Sequence, residues 1–359
     1  MTLRDGQSWA MTDRPTVLVA RLDGLGDVLL TEPAVRAIAA SARVVMLCSS
    51  QGARAAELLD TVDQVVVYDT PWIISDPDPV DAPGFDSMRE QIAGLGAESA
   101  VVFTSARQSP LPTALMLRLA GVPRIGAYSY TYAGSLLDVR LRDEPPAGAV
   151  PHEVERNLAL AESMGYAPPT DRRMLVQGQW LSVDVAADLP ANFVVVHPGS
   201  SASARTLPAA RWAAIVEALT DAGHTVVLTG IPDERTLRVV NAAPKAVSLV
   251  GRLEFGQLAT VLARAEALCV GNTGAMHLAA AVGTPIVACM PPTMPIEAWR
   301  PWMVDHVVLN VDVPCAQCHQ RTCPYATHPC TAIEPAEVLH ALERLVRRRS
   351  QHLPAIGVA

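Results

Sequence analysis

The sequence predicts an α/β protein made of two domains, each with a parallel sheet, that face each other across a cleft. Its 359 residues are too many for one ordinary domain and suit two domains of about 150 to 180 residues. Apolar runs do not alternate in polarity, which is typical of strands covered on both faces. Ala-rich segments at helical spacing separate these runs. Such alternation predicts parallel strands with right-handed crossovers and places ligands at the carboxyl ends of the strands.

The first half of the chain contains five predicted strands: TVLVAR, RVVMLC, QVVVYD, AVVFTS and RIGAY. Helices are expected between them near residues 34–40, 53–59, 88–95 and 113–120. The segment Thr70–Gly84 interrupts the series with four prolines. It lacks apolar periodicity and is predicted to be a surface loop; the alternative is a mobile lid over a site.

A second series starts at Asn192, with the predicted strands FVVVHPGS, HTVVLTG, AVSLVG, ALCVGN and PIVACM. Its helices are expected near residues 209–222, 234–241, 255–263 and 275–282. A helix at His152–Met164 and a segment rich in turn residues, Gly165–Pro190, connect the two halves. The predicted organisation is a flexible tail over residues 1–14, a first domain over 15–180 and a second domain over 191–345.

Composition excludes several classes of function. The net charge of -8 argues against a general affinity for nucleic acid, which needs a basic surface. The first 14 residues lack the apolar core of a signal peptide, and no apolar run approaches the roughly 20 residues that span a bilayer. We therefore expect a cytoplasmic protein. A basic stretch at Arg344–Ser350 is predicted to be the solvated end of a helix; the alternative is peripheral contact with anionic lipid on the inner face of the membrane.

The first loop that could carry chemistry is RLDGLGDVLL, between a strand and a helix. Gly24 and Gly26 resemble the start of a dinucleotide fingerprint, but Leu29 stands where a third small residue is required. Asp27 then has two interpretations. It caps backbone NH groups at the start of a helix, for which Thr31 is a second candidate N-cap, or it is a general base at the floor of the cleft.

Two loops in the second half favour anions. HPGSSASARTLP follows a strand and contains one cation, Arg205, whose guanidinium with the loop NH groups would make a diphosphate clamp; the alternative is an ordinary surface arginine. VGNTGAMHL places Asn272, Thr273 and Gly274 at a strand end and His277 in the first turn of the next helix. Gly274 permits close backbone approach, and the helix N-terminus favours negative charge.

RLDGLGDVLLTEPAVRAI, HPGSSASARTLPAARW, LTGIPDE and GNTGAMHLAAAVGTP, in this order and spacing, resemble the motifs of glycosyltransferase family 9, the heptosyltransferase family. The resemblance runs from about Val17 to Leu345. It implies a GT-B fold of two Rossmann-like domains, with an N-terminal acceptor domain and a C-terminal domain that binds a nucleotide-activated sugar. In this family the donor is usually ADP-heptose, transfer inverts the anomeric carbon, and no catalytic metal is needed.

The resemblance also implies residue roles. Asp27 matches the aspartate proposed to deprotonate the acceptor hydroxyl, and Arg205 matches the cation that neutralises the donor diphosphate. Gly24 and Gly26 would let the acceptor approach the backbone. The residues implied for donor binding are His197, Ser200, Arg205, Glu234, Asn272, Thr273, Gly274 and His277.

The chain departs from the family pattern at two places. Asn272 occupies the position of an aspartate that touches the sugar, which leaves the identity of the donor sugar open. Thr206 and Leu207 replace a basic-aromatic pair. The acceptor is therefore expected to be a lipopolysaccharide core, another glycan or a glycosylated metabolite. The alternatives to a transferase are a sugar-nucleotide epimerase and a nucleotide-sugar-binding protein without transfer activity.

Four of the seven cysteines lie close together in CAQCHQRTCPYATHPC, at Cys315, Cys318, Cys323 and Cys330. Clustered thiols in a cytoplasmic protein suggest a tetrahedral zinc site or, less often, an iron site. Four thiolates leave no open coordination position, so the metal would be structural. The alternatives are reduced thiols in a loop or two disulfides. Cys48, Cys269 and Cys289 lie in apolar strands and are expected in the cores.

Overall fold

The computed structural model describes residues 14–74, 77–105, 108–142, 150–182, 185 and 189–352. The predicted tail, residues 1–14, lies outside this part of the chain except for Arg14. Among the described residues, no helix has the length and apolar character needed to cross a membrane.

The first sheet contains six parallel strands: β1 (Thr16–Arg21), β2 (Arg43–Cys48), β3 (Gln64–Val67), β4 (Ser99–Val102), β5 (Ile125–Tyr128) and β6 (Val139–Leu141). Their order is β3-β2-β1-β4-β5-β6. Leu18 and Val19 of β1 point to opposite faces, and both are fully buried. Helices therefore cover the sheet on both sides. They are α1 (Leu25–Leu29), α2 (Glu32–Ala39), α3 (Ser50–Ala56), α4 (Ala82–Ala93), α5 (Leu111–Leu119) and α6 (Glu153–Ser163).

The second sheet also contains six parallel strands: β7 (Val194–His197), β8 (Val226–Leu228), β9 (Val247–Ser248), β10 (Leu268–Val270), β11 (Ile286–Cys289) and β12 (His306–Leu309). Their order is β12-β11-β10-β7-β8-β9. The helices of this half are α7 (Ala209–Asp221), α8 (Glu234–Ala242), α9 (Phe255–Arg264), α10 (Gly274–Ala281), α11 (Ile296–Trp299) and α12 (Pro335–His352). Counted from its own first strand, each sheet has the order 3-2-1-4-5-6. The predicted fold class, two Rossmann-like α/β domains, is confirmed.

Helix α4 begins earlier than the sequence predicted. Asp81 is its N-cap and accepts a hydrogen bond from Gly84 N at 2.7 Å, and Pro83 lies in the first turn. An aspartate followed by a proline two residues later is a helix start. The last residues of the expected loop Thr70–Gly84 are therefore helical.

The connection between the two halves touches both of them. Trp180, in a short 3-10 helix at Gly178–Ser182, donates from Nε1 to the Glu57 carbonyl at 3.2 Å. Its ring lies against Gly256 of α9, where an added Cβ would come within 2.4 Å of Trp180 Cε3. Trp180 thus fixes the connection to elements of both sheets.

The basic end of α12 is partly used within the fold. Arg347 pairs with Glu343 at 3.4 Å. Arg349 Nη1 donates to the Ala265 carbonyl at 2.6 Å, which satisfies a backbone acceptor after α9. These contacts support the interpretation of Arg344–Ser350 as the end of a helix.

Candidate functional site

The carboxyl ends of β1 and β4 lie next to each other in the first sheet, and those of β7 and β10 lie next to each other in the second. These neighbours are the points at which the strand order reverses, where open α/β sheets bind ligands. Loops from both sheets line one cleft of about 1070 Å³. Its lining includes Asp23, Gly24, Asp27, Ser105, Gln108, Glu153, Arg156, Ser201, Arg205, Trp299, His319 and Arg321.

A fully buried guanidinium organises the acidic wall of the cleft. Arg21, the last residue of β1, has no exposed surface. Its Nη2 lies 2.8 Å from Asp27 Oδ1, its Nε 2.9 Å from Asp23 Oδ2, and its Nη1 3.7 Å from Glu153 Oε2. Nη2 also donates to Ser105 Oγ at 3.0 Å. One cation thus holds three carboxylates and compensates their charge where they are partly or fully withdrawn from solvent.

The two aspartates of this network differ in exposure. The Asp27 side chain is 22% exposed and the Asp23 side chain 9%. Asp27 Oδ2 also accepts from Gly24 N at 3.2 Å, so it does cap the start of α1. Asp23 is enclosed by Ser105 and Gln108, which donate to its carboxylate. Burial raises the pKa of Asp23, against the opposing effect of Arg21. Asp27 is the carboxylate that a bound hydroxyl group can reach more easily.

The start of α1 touches the start of α10 from the second half of the chain. A Cβ added to Gly26 would lie 2.7 Å from His277 Cδ2 and 3.2 Å from Gly274 Cα. A Cβ added to Gly274 would lie 3.2 Å from Leu25 Cβ. The two glycines therefore permit a direct backbone approach of the two halves. Gly24 lines the cleft, whereas Gly26 is buried in this contact.

Arg205 lies on the wall opposite Asp27. It ends a 3-10 turn at Ser203–Arg205 after β7 and lines the cleft. Burial lowers its pKa, and the charge of Asp27 opposes that shift. Its Nε is buried and has no hydrogen-bond partner among the described residues. A partly buried cation with unused donors is suited to an anionic ligand.

The two anion-favouring loops of the second half are in contact. Asn272 N donates to the Arg205 carbonyl at 3.2 Å, and a Cβ added to Gly271 would lie 2.9 Å from that oxygen. Thr206 Oγ1 donates to Pro198 O and accepts from Trp212 Nε1, each at 2.9 Å. Thr206 is therefore a buried structural residue, which explains why a small hydroxyl side chain fits this position.

The other predicted donor residues do not line this cavity among the described residues. His197 Nδ1 and Thr229 Oγ1 are 3.0 Å apart, and burial lowers the pKa of His197 to about 4. Glu234 is exposed and pairs with Arg238 at 2.6 Å. Ser200 Oγ accepts from Ala202 N at 3.3 Å.

Thr273 is the N-cap residue of α10, although its side chain makes no capping hydrogen bond. His277 is buried behind it, with its ring centroid 6.3 Å from that of Trp299. Its Nδ1 has no hydrogen-bond partner in the described part of the chain. Burial lowers the pKa of His277 to about 4, so the ring is neutral at physiological pH.

Several residues of the site, whether they line the cleft or support its wall, were not predicted from the sequence. Arg21 and Asp23 lie in the first motif and could have been found from their position at the end of β1. Glu153 begins α6, and Trp299 ends α11. Glu153 and Trp299 line the cleft because the tertiary fold brings their helices to it. No local sequence pattern predicts that they belong to a site.

The cysteine cluster lies behind the loop that carries Arg205. All four cysteines line a small cavity of about 180 Å³, together with His328 and Ala204. Burial and the nearby thiols raise the pKa of Cys330 to about 11. Among the described residues, no three His, Cys, Asp or Glu side chains are arranged so that they could hold a metal ion. Cys48, Cys269 and Cys289 are buried in β2, β10 and β11, as expected.

Comparison with known proteins agrees with this architecture. The family model for glycosyltransferase family 9 (heptosyltransferase) matches residues 105–328, which is more than half of the chain and excludes the loop of Asp27. Lipopolysaccharide heptosyltransferase 1 of Pseudomonas aeruginosa is 30% identical over 185 residues, which cover 48% of this chain and 49% of that protein. The chain spans about half the length of the curated lipopolysaccharide heptosyltransferases that it matches.

Two solved structures share the fold. The Escherichia coli ADP-heptose lipopolysaccharide heptosyltransferase II structure has a TM-score of 0.72 and 19% identity, covering 93% of this chain and 99% of that one. The iron-containing dodecameric glycosyltransferase TibC of enterotoxigenic Escherichia coli has a TM-score of 0.52 and 17% identity, covering 96% and 79%. The fold, the motifs on its facing loops and the extent of the family match lead to one conclusion: the chain belongs to glycosyltransferase family 9, the heptosyltransferase family.

Proposed function

We propose that this protein is an inverting glycosyltransferase. It transfers a heptose-like sugar from a nucleoside-diphosphate sugar, with ADP-heptose as the expected donor, to a hydroxyl group of a glycan, a glycolipid or a glycosylated metabolite. The observation that carries the proposal is a carboxylate facing a cation across one cleft. Asp27 is the more accessible aspartate of the wall formed by the first half of the chain, and Arg205 is a cation of the wall formed by the second half.

The geometry supports a direct displacement. The oxygen of the acceptor hydroxyl forms the new bond to the anomeric carbon, and Asp27 accepts the proton that this hydroxyl loses. The bond between that carbon and the diphosphate oxygen breaks, and its electron pair stays on the diphosphate. Arg205 stabilises the charge that grows there. Attack from the face opposite the leaving group inverts the anomeric carbon.

Asp27 is held ready for this role before substrate arrives. Its Oδ1 faces Arg21 and its Oδ2 accepts from Gly24 N, so the carboxylate is fixed in orientation. An oxygen of the base must come within about 3 Å of the oxygen atom whose proton it removes. The remaining 22% exposure of the Asp27 side chain gives a hydroxyl group that access.

The donor diphosphate is expected to lie against Arg205 and the start of α10. The loop before α10 adjoins Arg205 through the hydrogen bond from Asn272 N to the Arg205 carbonyl, and a helix N-terminus favours negative charge. The Thr273 hydroxyl makes no capping hydrogen bond to α10. This chain has Asn272 where the family pattern has an aspartate. An amide at that position would bind the sugar without adding negative charge.

The donor half of the proposal is tested by a calorimetric screen of ADP-, GDP-, UDP- and TDP-sugars. We expect the ADP-sugars to bind with clearly higher affinity than the sugars of the other three nucleotides. Arg205→Ala should weaken that binding by roughly tenfold or more, as expected when a charged hydrogen-bond donor is lost. Binding of none of the four would contradict the proposal. Conversion of the donor without any acceptor would instead identify an epimerase, and binding without transfer over a broad acceptor panel would identify a binding protein.

We also propose that Cys315, Cys318, Cys323 and Cys330 hold one structural metal ion, zinc or iron. Thiolates are suitable ligands for both metals, and the four thiols line one cavity. They would have to move together around the ion, because their side chains do not form a coordination site as they stand. TibC, which shares the fold, is described as iron-containing. The metal would stabilise the segment and take no part in transfer.

Elemental analysis tests the metal site directly. Protein purified without a chelator or a histidine tag should contain about one zinc or iron ion per chain. Cys318→Ser should remove the metal, whereas Cys269→Ala, in the core of β10, should retain it. Wild-type protein with neither metal would contradict the proposal.

A further inference from the structure

The segment that contains the cysteine cluster, Cys315–Cys330, is joined to the loop after β7. The Arg321 carbonyl accepts from Ala204 N at 3.0 Å and from Ser203 Oγ at 3.4 Å. In return, Arg321 Nη2 donates to the Ser201 carbonyl at 3.2 Å. The backbone of Arg321 is thus tied to the 3-10 turn that ends at Arg205, and its side chain to the residues just before that turn.

The same segment is also fixed to the loop after β11. Gln317 N donates to Pro292 O at 2.6 Å, and His319 N donates to Thr293 O at 2.9 Å. The segment therefore bridges two loops at the carboxyl edge of the second sheet. Arg321 lies in the same segment, and both Arg321 and Arg205 line the cleft.

Arg205 and Arg321 place two positive charges on the same wall. The charge of Arg321 is close enough to lower the pKa of Arg205, in addition to the effect of burial. Among the residues that the structure describes, neither guanidinium forms a salt bridge with a carboxylate. Two neighbouring cations repel each other, and a multiply charged anion between them would relieve that repulsion.

We propose that Arg321 is a second diphosphate-binding residue of the donor site, supplied by the cysteine-rich segment. This inference rests on the proposed function. When the bond between the anomeric carbon and the diphosphate oxygen breaks, the electron pair moves onto the leaving diphosphate, and the acceptor proton goes to Asp27. Arg205 and Arg321 together neutralise the charge on the leaving group, one guanidinium from each of two separate segments of the wall.

The cysteine-rich segment would then take part in two sites, the cleft that contains Arg321 and the small cavity that the cysteines line. Its cysteines line the small cavity on the far side of the loop, with Ala204 as part of the wall. Arg321, which lies between Cys318 and Cys323 in the sequence, lines the cleft in which the donor would bind. Specificity for a nucleoside diphosphate over a nucleoside follows, because only the phosphates contact this pair of cations.

The test measures binding of ADP and of adenosine to the full-length wild type and to three variants by calorimetry. Arg321→Gln keeps hydrogen-bond donors for the Ser201 carbonyl and removes the charge. Arg205→Ala removes the first cation. Arg347→Ala is the matched control, because Arg347 on α12 is 62% exposed and pairs with Glu343 away from the cleft.

We expect Arg321→Gln to weaken ADP binding by roughly tenfold and to leave adenosine binding within about twofold of the wild type, with the Arg347→Ala variant unchanged for both ligands. A purely structural role of Arg321 would weaken both ligands equally and would overturn the inference. If Arg205→Ala loses ADP binding while Arg321→Gln retains it, only the inference fails. If the wild type binds no nucleoside diphosphate, the proposed function fails with it.

Discussion

At the end of β1, three carboxylates depend on one buried guanidinium. Arg21 contacts Asp23, Asp27 and Glu153 and has no contact with solvent. A buried ion pair adds little net stability, but removal of one partner leaves a charge without compensation. The acidic wall of the cleft is thus the place where a single substitution has the largest electrostatic effect.

Arg21→Met tests this dependence. The change keeps the side-chain volume roughly similar and removes the charge, so we expect a loss of about 3–5 kcal/mol in the free energy of unfolding, measured by urea denaturation at pH 7. Arg347→Met, at an exposed pair, should change stability by less than about 0.5 kcal/mol. A loss at Arg21 that is no larger than at Arg347 would show that the network is not electrostatically coupled.

The sequence identified Asp27 and Arg205 as cleft residues, but it missed Asp23 in the same motif as Asp27 and the residues that only the tertiary fold brings in. Asp27 and Arg205 follow strands in loops with small residues, and both line the cleft. Glu153 and Trp299 come from helices whose sequences carry no mark of a site. His277 belongs to a motif yet packs against Gly26, because motif membership does not say which neighbour a side chain will meet.

At the scale of elements, the contact between α1 and α10 determines how closely the two halves approach. Gly26 and Gly274 lie where the helix starts meet, and an added Cβ at either position would be too close to the other helix. The carboxylate of Asp27 follows directly after Gly26. The position of the acidic wall relative to the second half therefore depends on these two glycines.

Gly26→Ala should force α1 and α10 apart. Its Cβ would lie 2.7 Å from His277 Cδ2, and overpacking of this kind costs roughly 1–3 kcal/mol. Gly24→Ala serves as the control, since its Cβ would find the nearest atom 3.7 Å away, at Asp27 Oδ2, and φ is -86°. Thermal unfolding of both variants provides the measurement. Equal stability of the Gly26→Ala variant and the wild type would refute the close contact.

The two strands that the sequence did not predict, β6 and β12, are edge strands, whereas the other two edge strands, β3 and β9, were predicted. The central strands were predicted because runs such as VLVA and VVMLC are buried on both faces. β6 and β12 pair on one side only and are just three and four residues long, with intermediate burial throughout. An edge strand needs less apolar sequence, so hydrophobic patterning alone does not identify every one of them.

At the scale of the whole molecule, the two domains have the same strand order and each presents its loops at the point where that order reverses. Repeated alternation of strands and helices was enough to predict two such sheets and the loops that follow their strands. It does not specify how one sheet faces the other. That relation depends on contacts such as Trp180 with Glu57 and Gly26 with Gly274, which link positions far apart in the chain.

Stability of the whole molecule should depend on pH through His152 and His277, and also through His197, whose pKa burial likewise lowers to about 4. His152 and His277 are 2% and 3% exposed, and burial lowers the pKa of each to about 4. The unfolded chain binds these protons near pH 6.5. Unfolding is therefore favoured progressively as the pH falls from about 6.5 to about 4, by at most about 3 kcal/mol for each histidine.

Urea denaturation between pH 7.5 and pH 4.5 checks this expectation. The wild type should lose free energy of unfolding as the pH falls through this range. His152→Gln should lose less, because the glutamine does not titrate. His152 also contacts the Arg300 carbonyl at 2.8 Å, so the variant is compared with itself across pH. Parallel pH profiles for the two proteins would contradict the assignment to His152.

The central claim is that Asp27 deprotonates an acceptor hydroxyl opposite a diphosphate held by Arg205. The most direct measurement is the rate of sugar transfer from ADP-heptose to a truncated lipopolysaccharide core by the wild type and by Asp27→Asn, with ADP binding measured in parallel. We expect the variant to lose about 100-fold to 10,000-fold in rate and to bind ADP within about twofold of the wild type. An Asp27→Asn variant that transfers sugar at the wild-type rate would contradict the mechanism.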